Sequence, residues 1–167
     1  MSVLWIVQIL VAVQRLAELV YARRNTRRLL AEGAYESGAG HYPLLVGLHA
    51  LWLVSLALFV PADRAPDWAL LAVFVLLQGL RVWVLASLGR FWTTRVITLP
   101  GAPLVRRGPY RWFRHPNYLV VAGEILVLPL AFGAWEIAVI FSLANAAILT
   151  LRVRCEERAL SPRRPAR

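Results

Sequence analysis

Lysine is absent from this chain, cysteine occurs once, and acid is scarce: nine Asp and Glu stand against nineteen basic residues, every one an arginine. The lone Cys155 excludes an internal disulfide, and no Cys/His spacing resembles a metal site. The missing lysine reads as genomic bias rather than function. A net charge of +10 and a pI near 11.3 would suit a nucleic-acid binder, yet no basic amphipathic helix is present to read one. The arginines gather instead at the ends of apolar runs. The first of those runs has no basic leader and no Ala-x-Ala cleavage site, which predicts a retained span rather than a signal peptide.

Apolar sequence is what the chain has in abundance. A hydrophobic content of 59% and a mean hydropathy of +0.59 exceed those of an ordinary soluble domain, and 167 residues make one domain. Apolar runs occupy about 2–22, 43–60, 67–88, 117–132 and 134–151. The expectation is an all-α integral membrane protein of five transmembrane helices, the last two forming a short helical hairpin. Residues 1–88 then form a three-span part; residues 89–167 hold a loop, the hairpin and a C-terminal helix. Glu124, Pro129, Glu136 and Asn145 in the hairpin must face protein or a polar cavity.

Charges in the connections orient the bundle. Arg23, Arg24, Arg27 and Arg28 follow the first run, whereas the loop with Asp63, Arg64 and Asp67 has no positive excess. Arg90, Arg95, Arg106, Arg107, Arg111 and Arg114 fill an acid-free stretch before the fourth run; the turn near Gly133 has no base, and the C-terminal segment has six. Arginine-rich and arginine-poor ends alternate, so the positive-inside rule predicts an external N-terminus and a cytoplasmic C-terminus.

Polar residues within the runs have ordinary explanations. Gln8, Arg15 and Glu18 share one face of the first run and predict a polar seam that docks it on its neighbours, with Arg15 and Glu18 spaced to pair. His49 and Gln78 read as satisfied packing residues, and His41 lies at a membrane boundary. Trp5, Trp52, Trp68, Trp83, Trp92 and Trp112 fall largely near run ends, as an aromatic belt would.

Chemistry concentrates elsewhere. Between 98 and 118, Pro100, Gly101, Pro103, Gly108 and Pro109 forbid a regular helix. An irregular loop leaves backbone donors and acceptors free for a heterocycle such as adenine, and Tyr110 adds an aromatic face. Arg114-His115-Pro116-Asn117-Tyr118 follows, with Pro116 suited to a first helical turn whose amides favour a carboxylate. Beyond the hairpin, Arg152 and Glu156 share a helix face, and Glu157 is expected to turn away by about 100°.

Leu104-Val105, Gly108-x-Tyr110, Arg-His-Pro-Asn-Tyr at 114–118, a hairpin and Arg-x-x-x-Glu-Glu at 152–157 together resemble the isoprenylcysteine carboxyl methyltransferase family. The resemblance implies a membrane O-methyltransferase using S-adenosylmethionine in a cytoplasm-facing pocket. Leu104, Val105 and Tyr110 would contact the nucleoside; His115, Pro116, Asn117 and Tyr118 would enclose the methionine part. Glu156 would bind the cofactor, and Arg152 would face the substrate oxyanion as the catalytic residue. No metal is implied.

Gln14-Arg15-Leu16-Ala17-Glu18-Leu19, Ala22-Arg23-Arg24-Asn25, Gly33-Ala34-Tyr35-Glu36 and His41-Tyr42 are similar to a bacterial branch of that family. Its members accompany type III polyketide synthases and methylate alkylpyrones or alkylresorcinols. This implies a lipophilic acidic acceptor, a setting in the bacterial inner membrane among its lipids, and no nucleic-acid partner. Two places depart from the family pattern: Arg95 falls where a cofactor-contacting Gln is usual, and Ser161-Pro162-Arg163-Arg164-Pro165 replaces an aromatic tail. Two other readings compete. NADPH-dependent sterol and steroid reductases share the Arg-His-Pro-Asn-Tyr core but lack the Arg-x-x-x-Glu-Glu ending. A non-enzymatic membrane scaffold would leave the irregular loop unexplained.

Overall fold

The computed structural model describes residues 2–38, 40 and 42–160. Within them the chain forms α1 (Val3–Ala31), β1 (Tyr35–Glu36), α2 (Tyr42–Phe59), α3 (Trp68–Leu88), β2 (Ile97–Thr98), α4 (Pro116–Ala131) and α5 (Trp135–Leu160). Single 3-10 turns occupy Gly89–Phe91 and Gly108–Arg111. His41 and the tail from Ser161 to Pro165 lie outside the described residues.

Five apolar helices stand where five runs were expected, and α1, α2, α3 and α5 are long and apolar enough to cross a membrane. Helix α4, at 16 residues, is shorter. The hairpin differs from expectation in its second arm. No glycine or proline interrupts 135–160, so α5 runs 26 residues without a break and carries Arg152 and Glu156 on the same rod. Helix α1 likewise continues to Ala31 and includes the arginines expected after it. Its 29 residues extend about 44 Å, well beyond a ~30 Å hydrocarbon core.

Local chemistry sets the ends. Asp67 caps α3, its Oδ1 accepting from the amides of Ala69 (2.9 Å) and Leu70 (3.1 Å). Pro116 opens α4, where the missing N–H costs nothing. The hairpin closes through Gly133 at φ +69°, and the Ala134 amide donates to Pro129 O at 2.9 Å. Glu136 is exposed in the first turn of α5 and lines a pocket with Arg64 rather than facing the protein interior; at the bundle end an acid complements the helix dipole. Pro129 and Asn145 are buried as expected.

The outside of the bundle is oily, with Leu10, Leu16, Leu51, Leu58, Leu76 and Leu143 exposed. Toward its hairpin end the inside packs Leu4, Trp52, Leu56, Ile125, Leu128 and Phe132. Trp52 and Trp92 are therefore interior residues rather than belt members, whereas Trp5, Trp68, Trp83 and Trp112 are exposed.

Near mid-bundle the core becomes ionic. Arg81 grips Glu18 with Nε and Nη2, both at 2.6 Å, and reaches Glu124 with Nη1 at 3.1 Å. Arg15 bonds Glu18 at 3.1 Å, as its spacing predicts, and also Glu124 at 2.7 Å. Gln78 donates to Glu124 at 2.9 Å, so it is a member of the cluster rather than an isolated packing residue. His49 is bonded within its own helix, to Leu45 O at 2.8 Å.

The ends of α1, α3 and α5 and the start of α4 meet at one end of the bundle. Asn25 Nδ2 donates to Gly89 O and Trp92 O, Arg90 pairs with Glu32, and His115 meets Glu157. The arginine-rich connections therefore share that end. Strands β1 and β2 pair antiparallel there, Tyr35 opposite Thr98 and Glu36 opposite Ile97.

Candidate active site

Residues 92–115 arch over that end and leave a cavity of about 630 Å³. This volume falls within the ~300–1,000 Å³ typical of small-molecule sites. Gly108 anchors the arch. Its φ is +56°, and a Cβ there would sit 2.0 Å from Ser87 Oγ, so only glycine lets the loop press on α3. Arg107 Nε fastens the same point by donating to Ser87 O at 2.7 Å. The 3-10 turn that follows places Tyr110 against Trp92, Val84 and Val120, and burial pushes its phenol well above the ordinary tyrosine range.

Helix α4 supplies the opposite wall. His115, just before the helix, and Tyr118, in its first turn, stack with ring centroids 5.4 Å apart and planes inclined by 13°. The Tyr118 hydroxyl donates to Glu156 and accepts from Arg152 Nε at 2.9 Å. Arg152 Nη2 donates to Thr94 O at 2.8 Å, and its guanidinium carbon lies 5.8 Å from the Tyr118 ring centroid. Histidine 115 lies between two carboxylates: Nε2 is 2.7 Å from Glu157 and Nδ1 is 3.7 Å from Glu156. These carboxylates, Glu156 foremost, raise its imidazole above the ordinary range against the lowering effect of burial.

Of the residues singled out from sequence, Leu104, Val105, Tyr110, His115, Asn117, Tyr118, Arg152 and Glu156 line the cavity. Pro116 does not; it is buried at the start of α4 and shapes the helix entry. Glu157 is not turned away, because its side chain reaches back to the His115 ring despite the 100° offset of its backbone position. Arg95 lines the mouth, but Glu36 holds its guanidinium at 2.9 Å, over the Tyr42 ring.

Sequence reasoning missed Trp92, the Thr94 carbonyl and Thr98. Three buried polar atoms on lining residues, Trp92 Nε1, Thr98 Oγ1 and Asn117 Oδ1, have no hydrogen-bond partner among the described residues. Such atoms are costly unless a ligand or water meets them. An irregular polar loop, one phenol bridging a cation and an anion, and unmet polar atoms gather at one end of an apolar bundle and make this cavity the candidate active site.

The chain belongs to the isoprenylcysteine carboxyl methyltransferase (ICMT) family, whose pattern matches residues 70–162. That stretch runs from α3 to beyond α5 and contains the whole arch and hairpin. Membership identifies a membrane methyltransferase, and the apolar helices make it multi-pass. The chain is also 39% identical over 160 residues to "Uncharacterized protein YpbQ" of Bacillus subtilis (strain 168), covering 93% of this chain and 95% of that one. It is 25% identical over 154 residues to an "Uncharacterized protein" of Haemophilus influenzae (strain ATCC 51907 / DSM 11121 / KW20 / Rd), covering 88% of each. No solved structure matches it.

Proposed function

We propose that the protein is an S-adenosylmethionine-dependent O-methyltransferase acting on a lipophilic acidic acceptor, of alkylpyrone or alkylresorcinol type in preference to a prenylcysteine carboxylate. The observation that carries this reading is the meeting of Tyr118, Glu156 and Arg152 at the wall of a cavity where Asn117 Oδ1 and Thr98 Oγ1 have no partner among the described residues. Those residues fit the cofactor: Tyr110 offers a face to a heterocycle, Leu104 and Val105 an apolar bed, and Glu156 a charge for a cationic ligand.

When bound, S-adenosylmethionine supplies an electrophilic methyl group on a sulfonium. Glu156, held by Tyr118, anchors the cofactor. Arg152 orients the acceptor oxyanion; Thr94 O and Tyr118 fix its fork, and among the described residues no protein acceptor takes Nη1. A carboxylate or acidic enol is ionised at neutral pH, so the enzyme's task is alignment and exclusion of water rather than proton removal. The alkyl chain reaches the cavity laterally between helices.

The arginine-bearing end that holds the cavity faces the cytoplasm of a bacterial inner membrane in this reading, following the positive-inside rule. Cysteine substitutions within 90–114 should be labelled only from the cytoplasmic side. Labelling from outside intact cells would overturn that orientation.

A thermal-shift comparison in detergent tests the cofactor. S-adenosylhomocysteine at 100 times its Kd should stabilise the fold by about 2.7 kcal/mol, and NADPH should not. Stabilisation by NADPH alone would sink the proposal.

A further inference from the structure

The Gln14-Arg15-x-x-Glu18 motif takes no part in the site, yet the structure joins it to a network of buried charges that spans three helices. Glu18 accepts from Gln14, Arg15 and Arg81, and Glu124 accepts from Arg15, Arg81 and Gln78. The four charges cancel and join three helices, with Arg15 and Glu124 109 residues apart in the chain. Fold stability alone is a poor reason to retain such a cluster, because apolar residues of equal volume often serve as well or better. A best-attested use of buried polar groups is to fix register.

Two connections lead from this cluster to the cavity. Glu124 lies six residues after Tyr118 on α4, about 9 Å along one rigid helix. The Arg81 guanidinium lies 5.9 Å from the centroid of the Trp92 ring, which is buried and lines the cavity; Asn25 fixes the Trp92 carbonyl from the other side at 2.9 Å. Slippage of α4 by a fraction of a turn would move Tyr118 away from Arg152 and Glu156 together.

We propose that Arg15, Glu18, Arg81 and Glu124 are positioning residues for methyl transfer, setting the height and rotation of α4 against α1 and α3 so that Tyr118 meets its partners on α5. This inference rests on the methyltransferase reading for its kinetic test but not for its structural one.

The experiment uses the full chain with Glu124→Asp, which keeps the charge but withdraws the carboxylate by one methylene. Turnover per folded molecule is measured, together with the distance between spin labels on Cys155 and on Leu119→Cys, which report the facing ends of α5 and α4. The expected result is a kcat roughly ten- to a hundredfold lower, as misplacement of about an ångström produces, with a shifted or broadened label distance. Lower turnover with an unchanged distance overturns the proposal, and so does a changed distance with normal turnover. Should Glu124→Asp not fold, Arg15→Gln at the cluster's edge gives the same paired readout with smaller amplitude. If the native chain transfers no methyl group, the enzymatic reading falls, and the distance arm still decides whether the cluster sets α4.

Discussion

Tyr118 and Arg152 meet across the α4–α5 hairpin, the phenolic oxygen accepting from Nε at 2.9 Å while its proton goes to Glu156. One hydroxyl thus ties the proposed acceptor-binding cation to the proposed cofactor-binding anion. Tyr118→Phe keeps the ring and leaves both charged groups short of a partner. Losing a hydrogen bond to a charged group costs about 1.5–3 kcal/mol, so S-adenosylhomocysteine affinity should fall roughly ten- to 150-fold by calorimetry. Unchanged affinity would remove Tyr118 from the site.

Arg152→Ala should reduce turnover far more than it reduces S-adenosylhomocysteine binding. Arg152→Lys should restore little, since a point charge cannot keep Tyr118, Thr94 and an acceptor oxygen on one planar fork. Full recovery with lysine would show that charge alone suffices.

The pH dependence follows from His115. Because its pKa is raised, its favourable contact with the carboxylates is fully present below the ordinary histidine value of about 6.5 and is lost as pH rises through the folded-state value. Melting temperature in detergent should decline along that alkaline limb. Glu157→Gln, removing the carboxylate 2.7 Å from Nε2, should shift the decline to lower pH, and His115→Gln should abolish it. A limb unaffected by both substitutions would assign it to another group.

Two loop glycines offer an internal control. Gly101 and Gly108 both have positive φ, but a Cβ at Gly101 meets open space, whereas at Gly108 it strikes Ser87. Gly101→Ala should cost only the ~1–2 kcal/mol of a left-handed alanine. Gly108→Ala should also lift the arch from α3 and abolish ligand-induced stabilisation. Equal behaviour of the two variants would refute the docking role.

Acceptor length is the last expectation. Each buried methylene contributes about 0.8 kcal/mol, so shortening an alkylpyrone by four should weaken apparent affinity a hundredfold or more if all four are buried. A labelled-methyl assay can compare that series with a farnesylcysteine analogue. Transfer to farnesylcysteine alone would redirect the substrate while leaving the chemistry intact.

The apolar runs, the hairpin and eight of the residues that line the cavity were legible in the sequence, because bilayer length and helix-breaking residues act locally. Ion pairs do not. Arg81 sits in the third apolar run, and nothing nearby announces that its partners lie 63 residues earlier and 43 later. Glu157 shows another limit: backbone angle gives the face from which a side chain starts, and three rotatable bonds let it finish elsewhere. Trp52 and Trp92 were misplaced because run-end position describes depth along the bundle and says nothing of which way a ring points. The strand pairing left no mark, since two residues are too few for an alternating pattern.

That brief ladder gives the rim of the cavity its own kinetics. Tyr35–Thr98 and Glu36–Ile97, with the Ser37 amide on Val96 O, tether the arch to the α1–α2 connection. Undoing them exposes little apolar surface and leaves every helix intact. Their amides should therefore exchange with solvent through local opening long before those of α3 or α4. A water-soluble ligand such as the cofactor would enter and leave at the rate of that latch, independently of the lateral path between helices taken by the alkyl chain.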